Sequence, residues 1–71
     1  MQIQGNVVYQ DIATGCWGII DDQQKKWRVV EMPQPLQKIG LKVKVRAEQV
    51  QESFSVFMWG KPIRVLDYET L

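Results

Sequence analysis

Leu41-Lys42-Val43-Lys44-Val45-Arg46-Ala47 alternates apolar and basic residues without a break. Successive side chains on a strand point to opposite faces, so the stretch reads as a β-strand. The same alternation sorts the surface by chemistry. Leu41, Val43, Val45 and Ala47 go to the interior, and Lys42, Lys44 and Arg46 go to water. The strand covers 41–50, and Gln51-Glu52-Ser53 reverses the chain after it.

Upstream, Ile3, Gly5, Val7 and Tyr9 occupy alternate positions, so residues 2–11 read as a first strand with its odd positions inward. Glycine within a strand often marks a sharp bend, and a first strand that serves two sheets needs one at Gly5. Ala13-Thr14-Gly15 is turn chemistry. Trp17-Gly18-Ile19-Ile20 follows as strand two, ended by Asp21-Asp22-Gln23-Gln24, a connection short enough for a hairpin. Lys26-Trp27-Arg28-Val29-Val30 is strand three, rich in aromatic and β-branched residues.

The segment from Met32 to Gly40 breaks the pattern. Its prolines, Pro33 and Pro35, forbid a central strand. Pro35 is expected to open a short helical or 3₁₀ segment that Gly40 closes, with Leu36 and Ile39 as its buried side. After residue 53 the chain returns apolar through Phe54-Ser55-Val56-Phe57-Met58-Trp59. Gly60-Lys61-Pro62 interrupts, and Ile63-Arg64-Val65-Leu66 completes the last strand.

The order is strand, strand, strand, short helix, strand, strand. With short strands, closure into a barrel is the economical way to hide the edges, and the helical segment can plug one end. The expected fold is therefore all-β: a single domain over 1–71, a five-stranded OB-fold-like Greek-key barrel with its helical turn between strands three and four. An SH3-like barrel is the competing small architecture, but such chains place the helical turn just before the final strand.

Seventy-one residues lie near the lower limit for one self-supporting core. A domain of this size has a net stability of only about 3–5 kcal/mol unless something staples it. Cys16 is the one cysteine and cannot close an internal disulfide, and the absence of histidine removes the usual zinc cluster. Packing must carry the fold, with Trp17, Trp27 and Trp59 supplying much of the buried area. No apolar run approaches the roughly 18 residues of a membrane span, and Met1-Gln2-Ile3-Gln4 lacks a signal-peptide layout. The chain reads as cytoplasmic, unless it was excised from a longer secreted precursor.

Two phrases, Trp17-Gly18-Ile19-Ile20-Asp21-Asp22 and Met58-Trp59-Gly60-Lys61-Pro62-Ile63, carry a resemblance. The chain resembles a group of short prokaryotic OB-fold-like domains of uncharacterised function over residues 5–66. In those domains an aromatic-Gly-Ile segment precedes a polar hairpin, the middle segment bears prolines, and Met-Trp-Gly-x-Pro-Ile comes before the last strand. The resemblance implies the fold and no substrate.

Without histidine the commonest general base is missing, so no catalytic residue, metal site or cofactor is expected. Cys16 has only Thr14, Gly15, Trp17 and Gly18 beside it in sequence, none of which activates a thiol. Asp21-Asp22 reads as a solvated turn, since it lacks the spaced oxygen ligands of a calcium loop. An OB barrel binds single strands over strands two and three with aromatic platforms and a basic track. Trp17, Lys25, Lys26, Trp27 and Arg28 fall in that stretch. Trp27 shares a side with Lys25 and Val29, however, while Lys26 and Arg28 point the other way. If the tryptophans face the core, the groove keeps cations and loses its stacking surface. A net charge of +1 also exerts little pull on phosphates. Lys42, Lys44 and Arg46 read as a solubilising strand face.

The segment 54–59 is apolar on both faces, which leaves Phe57 and Trp59 in need of cover. They either pack on the helical segment or the tail at Leu66, Tyr68 and Leu71, or form an aromatic patch for a partner. The expected function is a non-enzymatic binding or scaffolding module, with Phe57, Trp59 and Lys61 meeting a protein partner or a second copy. Weak non-specific single-stranded nucleic-acid binding through strands two and three is the alternative.

Overall fold

The computed structural model describes residues 1–11, 15–51 and 59–71. Five strands, β1 (Gln2–Gln10), β2 (Cys16–Asp21), β3 (Lys26–Val30), β4 (Lys42–Gln49) and β5 (Lys61–Thr70), close into a barrel in the order β1-β2-β3-β5-β4. A 3₁₀ turn, η1 (Gln34–Leu36), lies between β3 and β4. This is the OB-fold-like barrel expected from the strand order. All ladders are antiparallel except β3–β5, which is parallel.

β1 joins the two sides of the cylinder. Its first half, from Gln2 to Asn6, pairs with β4, and its second half, from Gly5 to Gln10, pairs with β2. The ladders overlap at Gly5 and Asn6. A Cβ at Gly5 would run into the Ile20 carbonyl oxygen and lie 2.7 Å from Asp21 Cα. Only glycine lets the two backbones approach this closely at the point where β1 changes partner.

The lumen holds Ile3, Val7, Val43, Val45 and Ala47 as the alternation in β1 and β4 assigned them, and it decides the open question in β3, where Trp27 and Val29 face inward. Ile3, Val7, Ile19, Trp27, Val29, Val43, Val45, Ala47 and Ile63 form one buried cluster with Met32 and Leu36, and Trp17, Leu41 and Val65 pack against it. Tyr9 departs from the inward expectation. It is 40% exposed and meets Trp17 edge-to-face with ring centroids 5.0 Å apart. It lies beyond the end of the core, with its ring against Gly15.

η1 closes one end of the barrel. Pro35 sits within the first two positions of the turn, and Leu36 is fully buried in the core. Ile39, expected beside it, is instead 73% exposed. The turn ends at Leu36, and Gln37 leaves helical geometry at ψ 63°, so the three-residue spacing never places Ile39 on a shared face. Gly40 (φ +84°) then returns the chain to β1, its N–H donating to the Val7 carbonyl at 2.8 Å.

β5 also differs from expectation: it begins at Lys61, includes Pro62 and runs to Thr70. Arg46 pairs with Asp67 but Ala47 pairs with Val65, so Leu66 is left over as a bulge. The bulge reverses the inward phase from odd to even residues, which hides the second half of the strand from a period-two reading. Leu66, Tyr68 and Leu71 are 52%, 40% and 58% exposed.

Candidate functional site

The hairpin between β2 and β3 is organised by one carboxylate. Asp21 Oδ1 accepts from the backbone N–H groups of Gln23 (2.9 Å) and Lys25 (2.8 Å), and Oδ2 accepts from the Trp27 indole Nε1–H at 3.0 Å. Gln24 takes the left-handed position (φ 66°), closing a tight turn in which its N–H donates to the Asp21 carbonyl. The Lys25 ammonium stands 4.7 Å from the Trp27 ring centroid and covers it from solvent. The turn is solvated as expected, with Asp22, Gln23, Gln24 and Lys25 exposed, and Asp21 also clamps the core tryptophan.

The indole bond, followed by those from Lys25 and Gln23, holds the Asp21 carboxyl below its ordinary pKa despite an opposing desolvation effect. A pKa depressed by folding stabilises the native state above the ordinary carboxylate range, and the contribution is lost as pH falls through the folded value. Urea midpoints measured from about pH 7 down to about pH 2.5 should therefore fall more steeply for the wild type than for Asp21→Asn. At neutral pH the Asn variant should melt about 4–8 °C lower, equivalent to roughly 1 kcal/mol in a domain this small. Parallel pH profiles for the two proteins would refute the clamp.

Outside the barrel, three registers place Val8, Gly18, Arg28 and Pro62 in one row across β1, β2, β3 and β5. A Cβ at Gly18 would collide with Cζ3 of Trp59 and lie 2.6 Å from Cη2. The Trp59 indole therefore rests on the bare backbone of β2, on the outer wall. Gly60 (φ +68°) lets the chain pass against β3: a Cβ there would lie 3.0 Å from the Arg28 nitrogen. Trp59 remains half-exposed, as do Val8, Ile20 and Pro62. A shallow depression lined by Asn6, Val8, Ile20, Asp22 and Gln24 continues the surface towards the hairpin.

The residues of the sequence-based nucleic-acid reading separate here. Trp27 is buried in the lumen, and Trp17 packs half-buried against the core. Lys26 is exposed on the outer face and Lys61 is exposed at the start of β5. Lys25 covers Trp27. Arg28 was expected in water, but only 6% of it is exposed. It lies opposite Gly18, where Trp59 and Gly60 pass over the wall. Phe57 lies outside the described residues.

Period-two reading could not have placed Trp59 on Gly18, because the contact joins distant segments. The one available signal was Gly18 itself, a glycine in a strand, which marks close approach of another group. Burial pushes the Cys16 thiol above its ordinary pKa, outweighing the opposing pull of Arg28, the cation that proximity in sequence missed. No group of three or more acidic, Cys or His side chains placed to hold a metal occurs among the described residues.

Two of the three cations in the stripe Lys42, Lys44 and Arg46 stand opposite carboxylates across the sheet. Lys44 is in register with Glu69 and Arg46 with Asp67, while Arg64 lies 4.0 Å from Glu48. Alternating charge of this kind supports a sheet face modestly and leaves no continuous basic track. No family model, no curated protein and no solved structure matches the chain.

Proposed function

We propose that the protein is a non-enzymatic binding module whose contact surface is the outer wall around Trp59. The observation that carries this reading is the Trp59 ring laid on Gly18, outside the barrel and half-open to solvent. Half-buried Val8 and Pro62 stand in the row of Gly18, half-buried Ile20 lies in the next row between exposed Asn6 and Lys26, and exposed Asp22 and Gln24 share a depression with Val8 and Ile20. An apolar centre with an anchored tryptophan and a polar rim has the anatomy of a protein-binding patch. The buried, high-pKa thiol of Cys16 and a sequence without histidine speak against covalent or acid–base chemistry. The partner is a protein surface or a second copy of the chain.

Trp59→Ala should weaken partner capture or self-association by about 30-fold, the equivalent of a hot-spot residue at roughly 2 kcal/mol. Sedimentation equilibrium on wild type and variant, with pull-downs compared side by side, would measure this. A folded variant with undiminished association sinks the proposal, and a variant that unfolds assigns Trp59 to the core. The nucleic-acid alternative keeps Lys26 and gains Trp59 as a platform, but it has lost Trp27 to the lumen. A titration with mixed oligonucleotides at low salt tests it, because phosphate contacts must weaken steeply as salt is added.

A further inference from the structure

Among the described residues, barrel closure leaves one stretch of strand edge open. β3 accompanies β5 only as far as the Val30–Arg64 pair. At Glu31 the backbone takes φ +56°, and the chain turns off the sheet towards Met32 and η1. β4 continues along β5 to Thr70. Among the described residues, 65–70 therefore pair on one side alone.

The direction of the open edge is marked by a hydrogen bond. The Tyr68 N–H donates to the side-chain Oδ1 of its neighbour Asp67 at 2.9 Å, in an exposed position. In an antiparallel ladder, alternate residues turn both N–H and C=O away from the partner strand. Tyr68, opposite Val45, turns its amide outward, and Thr70, opposite Val43, follows by the same alternation.

The side chains flanking this edge differ by face. Asp67 and Glu69 lie on the outer face, opposite Arg46 and Lys44, while Tyr68 and Thr70 lie on the other face, opposite valines. The β4 sequence Lys42-Val43-Lys44-Val45-Arg46 is thus a template for what this half of β5 accepts as a neighbour. A carboxylate offers two oxygens and several lone-pair directions, so a cation on one side leaves room for another. A second copy of β5 fits poorly. A twofold pairing centred on Tyr68 would set the Asp67 of each copy against the Glu69 of the other, and like charges directly opposite are destabilising.

We propose that residues 65–70 form a strand-addition site for an extended segment of another protein that alternates Lys or Arg with aliphatic residues. Main-chain hydrogen bonds to Tyr68 and Thr70 hold the added strand, and Asp67 and Glu69 select its charge. Asp67 occupies the Tyr68 amide until the segment arrives, which also guards the edge against indiscriminate pairing. This surface is separate from the wall around Trp59.

The test is an NMR titration with a synthetic peptide of the sequence Leu-Lys-Val-Lys-Val-Arg-Ala, taken from residues 41–47. Shifts should concentrate on residues 66–70. Amide exchange at Tyr68 should slow about tenfold when the peptide stands at ten times its Kd. A peptide with Glu at the three basic positions should leave these signals unmoved. In the folded double variant Asp67→Lys, Glu69→Lys the preference should reverse. Silence at millimolar peptide, equal response to both peptides, or shifts centred on Gly18 and Trp59 would each overturn the proposal.

Discussion

Gly5→Ala should lower the melting temperature by about 10–20 °C, corresponding to a loss of roughly 3 kcal/mol in a domain of this size. The expectation runs against the usual sign. At a position with an ordinary backbone conformation, Gly→Ala stabilises by about 0.4–1 kcal/mol by restricting the unfolded chain. Gly5 is not among the positive-φ glycines, so conformation alone would favour alanine. Space decides otherwise. The new methyl would lie 2.7 Å from Asp21 Cα and 2.8 Å from the Ile20 carbonyl carbon, and nearer still to the Ile20 carbonyl oxygen. All three are backbone atoms, so no rotamer change can relieve them. β1 would have to move off β2 at the point where it also pairs with Val43 of β4. Overpacking costs about 1–3 kcal/mol even where side chains can yield. Gly40→Ala is the control: nothing lies within 4 Å of a Cβ there, and its φ of +84° exposes the variant only to left-handed strain of about 1–2 kcal/mol. Thermal melts of the two variants should rank Gly5→Ala lower. The reverse order would mean that the close approach at Gly5 is not tight.

The sequence showed most about strands buried on one face only. In β4 a one-residue slip would exchange Val43, Val45 and Ala47 for Lys42, Lys44 and Arg46, so register and face were readable together. The pattern failed wherever a contact depended on something other than local periodicity. Leu66 enters β5 as a bulge, and no residue type in Ile63-Arg64-Val65-Leu66 announces it. Arg28 obeys the alternation in lying opposite Gly18 on the outer wall yet is buried, which local periodicity does not announce. Asp21 carried the turn signal, but its bond to the Trp27 indole required both strands to be in register first. The candidate site was accordingly half-readable. Trp59 stood out as an aromatic in need of cover, whereas the surface it covers became visible only with the barrel closed.

Leu36→Ala should come close to abolishing the native state, whereas Ile39→Ala should change stability by less than about 0.5 kcal/mol. Both residues look alike in sequence, apolar and three apart around a proline-initiated turn. Leu36 is fully buried where η1 enters the core, and Ile39 is 73% exposed. Removing a fully buried leucine costs about 2–5 kcal/mol, of which part is the cavity left behind. The whole barrel is expected to hold only about 3–5 kcal/mol. The site has little freedom to collapse. The Gly40 and Leu41 backbones are hydrogen-bonded to Val7, and Gln37 Nε2–H donates to the Met32 carbonyl at 3.0 Å, so the segment is tied on either side of the gap. Leu36→Met, which refills most of the volume, should cost less than about 1.5 kcal/mol. Urea titrations followed by near-ultraviolet circular dichroism would report all three variants, since core packing around Trp27 sets the aromatic signal. If Leu36→Ala unfolds with a midpoint near that of Ile39→Ala, η1 lies on the barrel as an ornament, and the end of the lumen is closed by something else.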